Sequence, residues 1–163
     1  MVCFHSNYNL GDAHNYNQGD YTSMEELGEA ITDEEHPVVM LPVYMYNHSG
    51  VCLNTTGFSC KWDSGQVGWI YINKHTLDEM GTQIEDAETY PEFKERLLSY
   101  LLSEVETYSL YVAGEVYGFQ INDRDGEYEE GCSGFYGTNW KNNGLVDNVQ
   151  EHVKLSTEDL DSL

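Results

Sequence analysis

Hydrophobic positions along this chain follow two periods, and the changes between them mark out the elements. Met24, Leu27 and Ile31 recur at spacings of three and four, as on one face of a helix. Thr22 or Ser23 stands where an N-cap belongs, and Glu25 and Glu26 fall in the first turn, where the helix dipole favours acid. This helix is expected to end near Thr32, with Asp33 to Pro37 as the connection, because Pro37 cannot lie inside a helix and keeps the residue before it extended. A second, longer stripe consists of Phe93, Leu97, Leu101, Val105, Tyr108 and Val112, widened by Leu98 and Tyr100. It predicts a helix from about Pro91 to Ala113, closed by Gly114. Shorter helices are expected from His75 to Met80, before Gly81, and from Leu145 to Val153.

Between the helices the period changes. Val38 to Tyr46 is almost continuously apolar and reads as a buried strand, in which Pro42 marks an edge position or a bulge. Asn47, His48, Ser49 and Gly50 are turn residues, and Val51 to Thr56 is the returning strand of a hairpin. Ser64 and Gly65, with Asp63 bonding its own backbone, predict a tight turn into a third strand, Val67 to Tyr71. Met1 to Tyr8 adds a short strand with Cys3 and His5 on one face. A second hairpin pairs Val116–Asn122 with Glu127–Phe135 around Asp123, Arg124, Asp125 and Gly126. The expected fold is α+β: an antiparallel sheet, a three-stranded meander plus the C-terminal hairpin, packed against one long helix and shorter ones. It reads as a single acidic domain over residues 1–163, irregular over residues 1 to 21 and frayed in the acidic tail from Leu155.

Charge changes this picture most. The 29 Asp and Glu face 7 Lys and Arg, for a formal net charge of -22, while 40% hydrophobic content is too rich for a disordered acidic tail. Nucleic acid and anionic membrane are poor direct partners for such a surface, and a basic protein is its natural counterpart. No apolar run reaches membrane-spanning length and no basic-then-apolar leader opens the chain, so a soluble cytoplasmic protein is expected. Cys3, Cys52, Cys60 and Cys132 contain no tight pair of the kind zinc requires. They read as reduced thiols, with a Cys52–Cys60 pairing across the hairpin left open.

Candidate chemistry is thin. His5 and His14 lack a partner at ligand spacing and read as turn and edge residues. The stretch DRDGEYEE resembles a calcium loop, but the position five before its glycine is Ile121 where an acid is required. Cys60 offers a nucleophile if His48 or His75 reaches it in space. Glu104 and Glu106 point to different helix faces and do not form an acid–base pair. No phosphate loop, dinucleotide fingerprint or nucleophile elbow is present, so neither a cofactor, a metal nor a catalytic residue is assigned.

The segment LPVYMYNHSGVCLNTTGFSCKWDSGQVGWIYINK, Leu41 to Lys74, resembles the core of a family of small acidic proteins of bacteriophages and plasmids, with the pattern LPxYxYxHSG…FSCxWDSGQxGxIY. The helix leading to Tyr108 and the VYGF segment, Val116 to Phe119, extend the resemblance over about two thirds of the chain. The resemblance places the chain in the context of mobile elements, where strongly acidic proteins are similar to anti-restriction and anti-CRISPR inhibitors. What it implies is a counter-defence protein of the infected host's cytoplasm. Such a protein would bind a basic nucleic-acid-binding host protein, such as a nuclease or CRISPR effector, through carboxylates that imitate phosphates. Glu104, Glu115, Asp123, Asp125, Glu127, Glu129 and Glu130 are the expected contact set. The alternatives are a small-molecule binder or enzyme using Cys60 to Trp69, or a structural or accessory phage protein.

Overall fold

The computed structural model describes residues 1–48, 50–85 and 88–152. It is of the α+β class, with four helices, a four-stranded antiparallel sheet and a two-stranded hairpin among the described residues. Two compact units divide the chain, Met1–Ser109 and Leu110–Leu163.

In the first unit β1 (Val2–Cys3), β2 (Val39–Asn47), β3 (Val51–Asn54) and β4 (Ser64–Ile72) form one sheet in the order β1-β4-β2-β3. This differs from the expected meander, because β4 pairs with β2 and not with β3. Length explains the choice. At four residues β3 is too short a partner for β4, whereas β2 and β4 both run for nine and pair from Val39–Ile72 to Tyr46–Ser64. Pro42 sits where β2 has a neighbour on one side only, since β3 pairs no further than Tyr44, and the register shifts at Val43/Tyr44. Both readings of Pro42 thus hold locally: one free side, and a bulge one step on.

Ser64 and Gly65 are not a turn; they open β4, opposite Tyr46 and Met45. The chain leaves β3 at Asn54, crosses the end of β2 over residues 55–63 and returns on the other side. Of the first turn, Ser49 lies outside the described residues.

Helix α1 (Met24–Glu35) is capped by Ser23, whose hydroxyl accepts from the Glu26 N–H at 3.2 Å. It runs one turn beyond the expected end at Thr32, because His36 takes a left-handed conformation, φ 47°, and closes the helix immediately before Pro37. Leu27 and Ile31 are fully buried against Val2, with Met40, Trp69 and Tyr71 of the sheet around them. Gly28 faces the Trp69 ring, whose Nε1 donates to the Met24 carbonyl at 2.7 Å. A Cβ at Gly28 would lie 2.8 Å from that ring. Gly28→Ala is therefore expected to destabilise the fold by about 1–2 kcal/mol, overpacking outweighing the better helix propensity of alanine. Thermal unfolding checks this against Gly19→Ala, where nothing lies within 4 Å of the new methyl and no change is expected.

The residues of opposite parity on the sheet, Val39, Val43, Ile70 and Ile72, are equally buried. Helix α2 (Lys74–Met80) is ended by Gly81, as expected, and starts one residue before the expected His75, where Asn73 caps it. Helix α3 (Tyr90–Val112) buries Phe93, Leu97, Leu101 and Val105 to 4% exposure or less. Tyr100, expected to widen that stripe, is exposed instead, and its hydroxyl meets Arg96 at 3.4 Å. Thr89 and Glu92 form a capping box, each bonding the other's backbone N–H, one residue upstream of the expected start. Ser109 Oγ of α3 accepts from the Leu53 N–H at 2.8 Å, occupying an outward donor of the edge strand β3.

In the second unit β5 (Val116–Asn122) and β6 (Tyr128–Tyr136) pair as the sequence predicts, with register shifts at Tyr117/Gly118 and Ile121/Asn122. Helix α4 (Leu145–His152) follows them; the expected end at Val153 and the tail from Leu155 lie outside the described residues. Tyr117 meets Trp140 at 5.0 Å, and Phe119 meets both Phe135 and His152, so one side of the ribbon is partly covered.

Candidate partner-binding surface

Acid in this chain has two fates, and geometry separates them. At the helix starts it is used locally. The Glu26 carboxylate accepts from both the N–H and the hydroxyl of Thr22, and Glu92 does the same with Thr89. Those bonds hold both carboxyls below the usual carboxylate range. In the connector before α3, Glu88 grips the Arg96 guanidinium through both oxygens, at 3.0 and 2.9 Å, and its pKa is lowered by those bonds. Arg96 also donates to the Gln83 carbonyl, so these charges fasten the connector to the helix.

The hairpin tip is different. From Asp123 to Glu130 the chain carries five acids and one arginine. Only Asp123 is used to build the turn: its Oδ1 accepts the N–H groups of Asp125 and Glu127, both at 2.9 Å. Gly126 completes the turn at φ 87°, a conformation that favours glycine. This carboxylate oxygen is thus committed to the backbone of the turn. The Asp125, Glu127 and Glu129 side chains are exposed and make no hydrogen bond or ion pair among the described residues. Glu129 occupies the extra position of the second register shift, while Glu130 lies opposite Ile121 and meets His152 of α4 at 3.0 Å. Tyr128, 64% exposed, stands among them.

The remaining two expected contact residues are placed differently. Glu115 is half-buried between α3 and β5, where its backbone donates to Leu110 and accepts from Gly137. Glu104 belongs to the first unit, on the exposed side of α3, bordering a cleft of about 400 Å³ with Tyr71, His75, Glu79 and Tyr100. The set thus reduces to a compact group in the second unit, Asp123, Asp125, Glu127, Glu129 and Glu130, with Glu104 and Glu115 apart from it in chain and in role.

The cysteine-bearing stretch resolves into a brace. All four cysteines are unpaired thiols. Cys3 is buried, which pushes its thiol up to about 12 and leaves it unreactive at neutral pH. Cys60 Sγ donates to Asp63 at 3.5 Å, and His48 Nδ1 faces the same carboxylate at 3.4 Å. His75 meets Glu79. Neither of these contacts is the sulfur–imidazole contact that nucleophilic catalysis requires. The Ser64 hydroxyl donates to the Cys60 carbonyl, and the Asn47 N–H donates to the Asp63 carbonyl at 2.8 Å. Asn54 bonds the N–H and carbonyl of Gly57, which packs on Tyr44, and Phe58 stacks near Tyr46. The loop's polar residues therefore pin the crossing over β2 to the sheet. Spacing alone could not reveal this, because the bonds exist only once β4 returns beside β2.

Among the described residues no helix is long and apolar enough to cross a membrane. Compared with family models, curated proteins and solved structures, the chain matches none.

Proposed function

We propose that this protein is a counter-defence factor of a phage or other mobile element. It binds a basic, nucleic-acid-binding host protein, of the kind a nuclease or CRISPR effector represents, in the cytoplasm of the infected cell. It acts by occupying a surface meant for nucleic acid. The observation that carries this reading is the hairpin tip, where five acids fall within eight residues and the exposed carboxylates of Asp125, Glu127 and Glu129 have no internal task, in contrast to Glu26, Glu88 and Glu92, which are engaged by caps and by Arg96. Five acids within the eight residues from Asp123 to Glu130 crowd carboxylates at the end of a two-stranded ribbon. Closely spaced acids on such a ribbon present charge at a nucleic-acid-like density. With a net charge of -22, the chain also attracts basic surfaces from a distance.

The test is capture from a host-cell extract on immobilised protein, washed at about 50 and at about 200 mM salt, the range over which phosphate-like contacts weaken steeply. A nucleic-acid-binding protein held at low salt and released at high salt is expected. Retention of no such protein at either concentration would sink the reading.

A further inference from the structure

In the loop between β3 and β4, the adjacent pair Lys61 and Trp62 stands out from the residues that brace it. Asn54, Gly57, Phe58, Cys60, Asp63 and Ser64 each tie the crossing to the sheet. Lys61 and Trp62 make no hydrogen bond, ion pair or ring contact among the described residues, and Trp62 is 96% exposed. An indole left in water forgoes the burial of roughly 150–250 Å² that aromatic side chains bring to a core or an interface. Here it stands on a braced loop, so docking it would cost little further ordering of the backbone. It borders an open groove of about 490 Å³ with Phe4, Met24, Met45, Gln66 and Val67. Tryptophan is among the side chains enriched at the energetic hot spots of protein interfaces.

We propose that Lys61 and Trp62 form a docking knob for a partner protein. The indole enters an apolar pocket of that partner, and the Lys61 ammonium meets a carboxylate at the pocket's edge. Charge selects this occupant. The groove beside Trp62 has one acid in its lining, Asp63, which Cys60 and His48 already face, and Lys61 adjoins it, in a chain with 29 acids. This face complements an acid-rimmed pocket, whereas the hairpin complements a basic surface, so the inference stands apart from the function proposed above. A second copy of the chain is a poor occupant, because each copy brings a net charge of -22.

The test places the photocrosslinker p-benzoylphenylalanine at position 62 of the full chain, with the same group at Gln150 as control. The crosslinked peptide of the partner is sequenced, and the purified pair is then titrated. The expected crosslink lies in an apolar segment with Asp or Glu within a few residues. Trp62→Ala should weaken the purified complex about 30-fold or more. Lys61→Glu should weaken it about fivefold, and charge reversal at Asp125, Glu127 and Glu129 should leave it within twofold. Unchanged circular dichroism and thermal midpoints for each variant separate lost docking from lost fold. Crosslinking no greater than at position 150, crosslinking to a second copy of the chain, or Trp62→Ala binding within twofold of wild type would each overturn the proposal.

Discussion

Reversing Asp125, Glu127 and Glu129 to lysine is expected to abolish partner binding while leaving the protein folded. None of these side chains makes a hydrogen bond or ion pair among the described residues, so little native structure depends on them. Replacing three negative charges by three positive ones also relieves repulsion in a chain of net charge -22, and the thermal midpoint should hold or rise. Binding should respond in the opposite sense. Like charges placed across an interface cost several kcal/mol, which corresponds to a fall in affinity of about 100-fold or more. Asp123 is left in place because its Oδ1 holds the turn, and Glu130 because it meets His152. Titration calorimetry with the captured partner reads the result. Wild-type affinity in the triple variant would mean that the hairpin is not the contact surface.

The second large effect is on stability. Leu101 is 1% exposed in the middle of the α3 stripe, and its neighbour Leu102 is 48% exposed. Leu101→Ala removes buried methyl groups and leaves a cavity, and is expected to cost about 3–5 kcal/mol. Domains of this size are stable by about 5–15 kcal/mol, so the variant should lose between about a fifth and all of its stability. Leu102→Ala should change stability by about 0.5 kcal/mol or less. Urea denaturation of the two variants side by side checks both values. Equal losses would mean that the helix face is assigned wrongly.

That helix face was legible in the sequence because its period is local. Phe93, Leu97, Leu101 and Val105 recur at intervals of four, and all four are buried. The Ser23 cap, the Gly81 end of α2 and the hairpin around Asp123–Gly126 were legible for the same reason, since each depends on residues within one or two turns. Strand order was not. Whether β4 returns beside β3 or crosses to β2 is decided by matching strand lengths and by bonds from residue 47 to residue 63, which no local pattern encodes. The reading of Ser64 and Gly65 as a turn failed on the same point. The Thr89–Glu92 capping box was visible in principle as T-x-x-E but was masked by Pro91, itself a strong helix-start signal.

The candidate site was legible as composition and only partly as position. Counting carboxylates could not show that Glu26, Glu88 and Glu92 are engaged locally while Asp125, Glu127 and Glu129 are not. It also grouped Glu104 and Glu115 with the hairpin, although one borders a cleft of the other unit and the other is half-buried at the start of β5. The FSCKWDSG motif drew attention as possible chemistry. Most of it is bracing for a crossing loop, and Lys61 and the exposed Trp62 take no part in that task.

Mimicry is tested most directly by competition on the captured partner. The partner is loaded with a fluorescent duplex of the nucleic acid it binds, and this protein is titrated in at constant salt. Displacement to completion, with an apparent affinity for the duplex that falls in proportion to added protein, is the predicted result. A ternary complex in which the duplex keeps its affinity while this protein is bound would contradict the account.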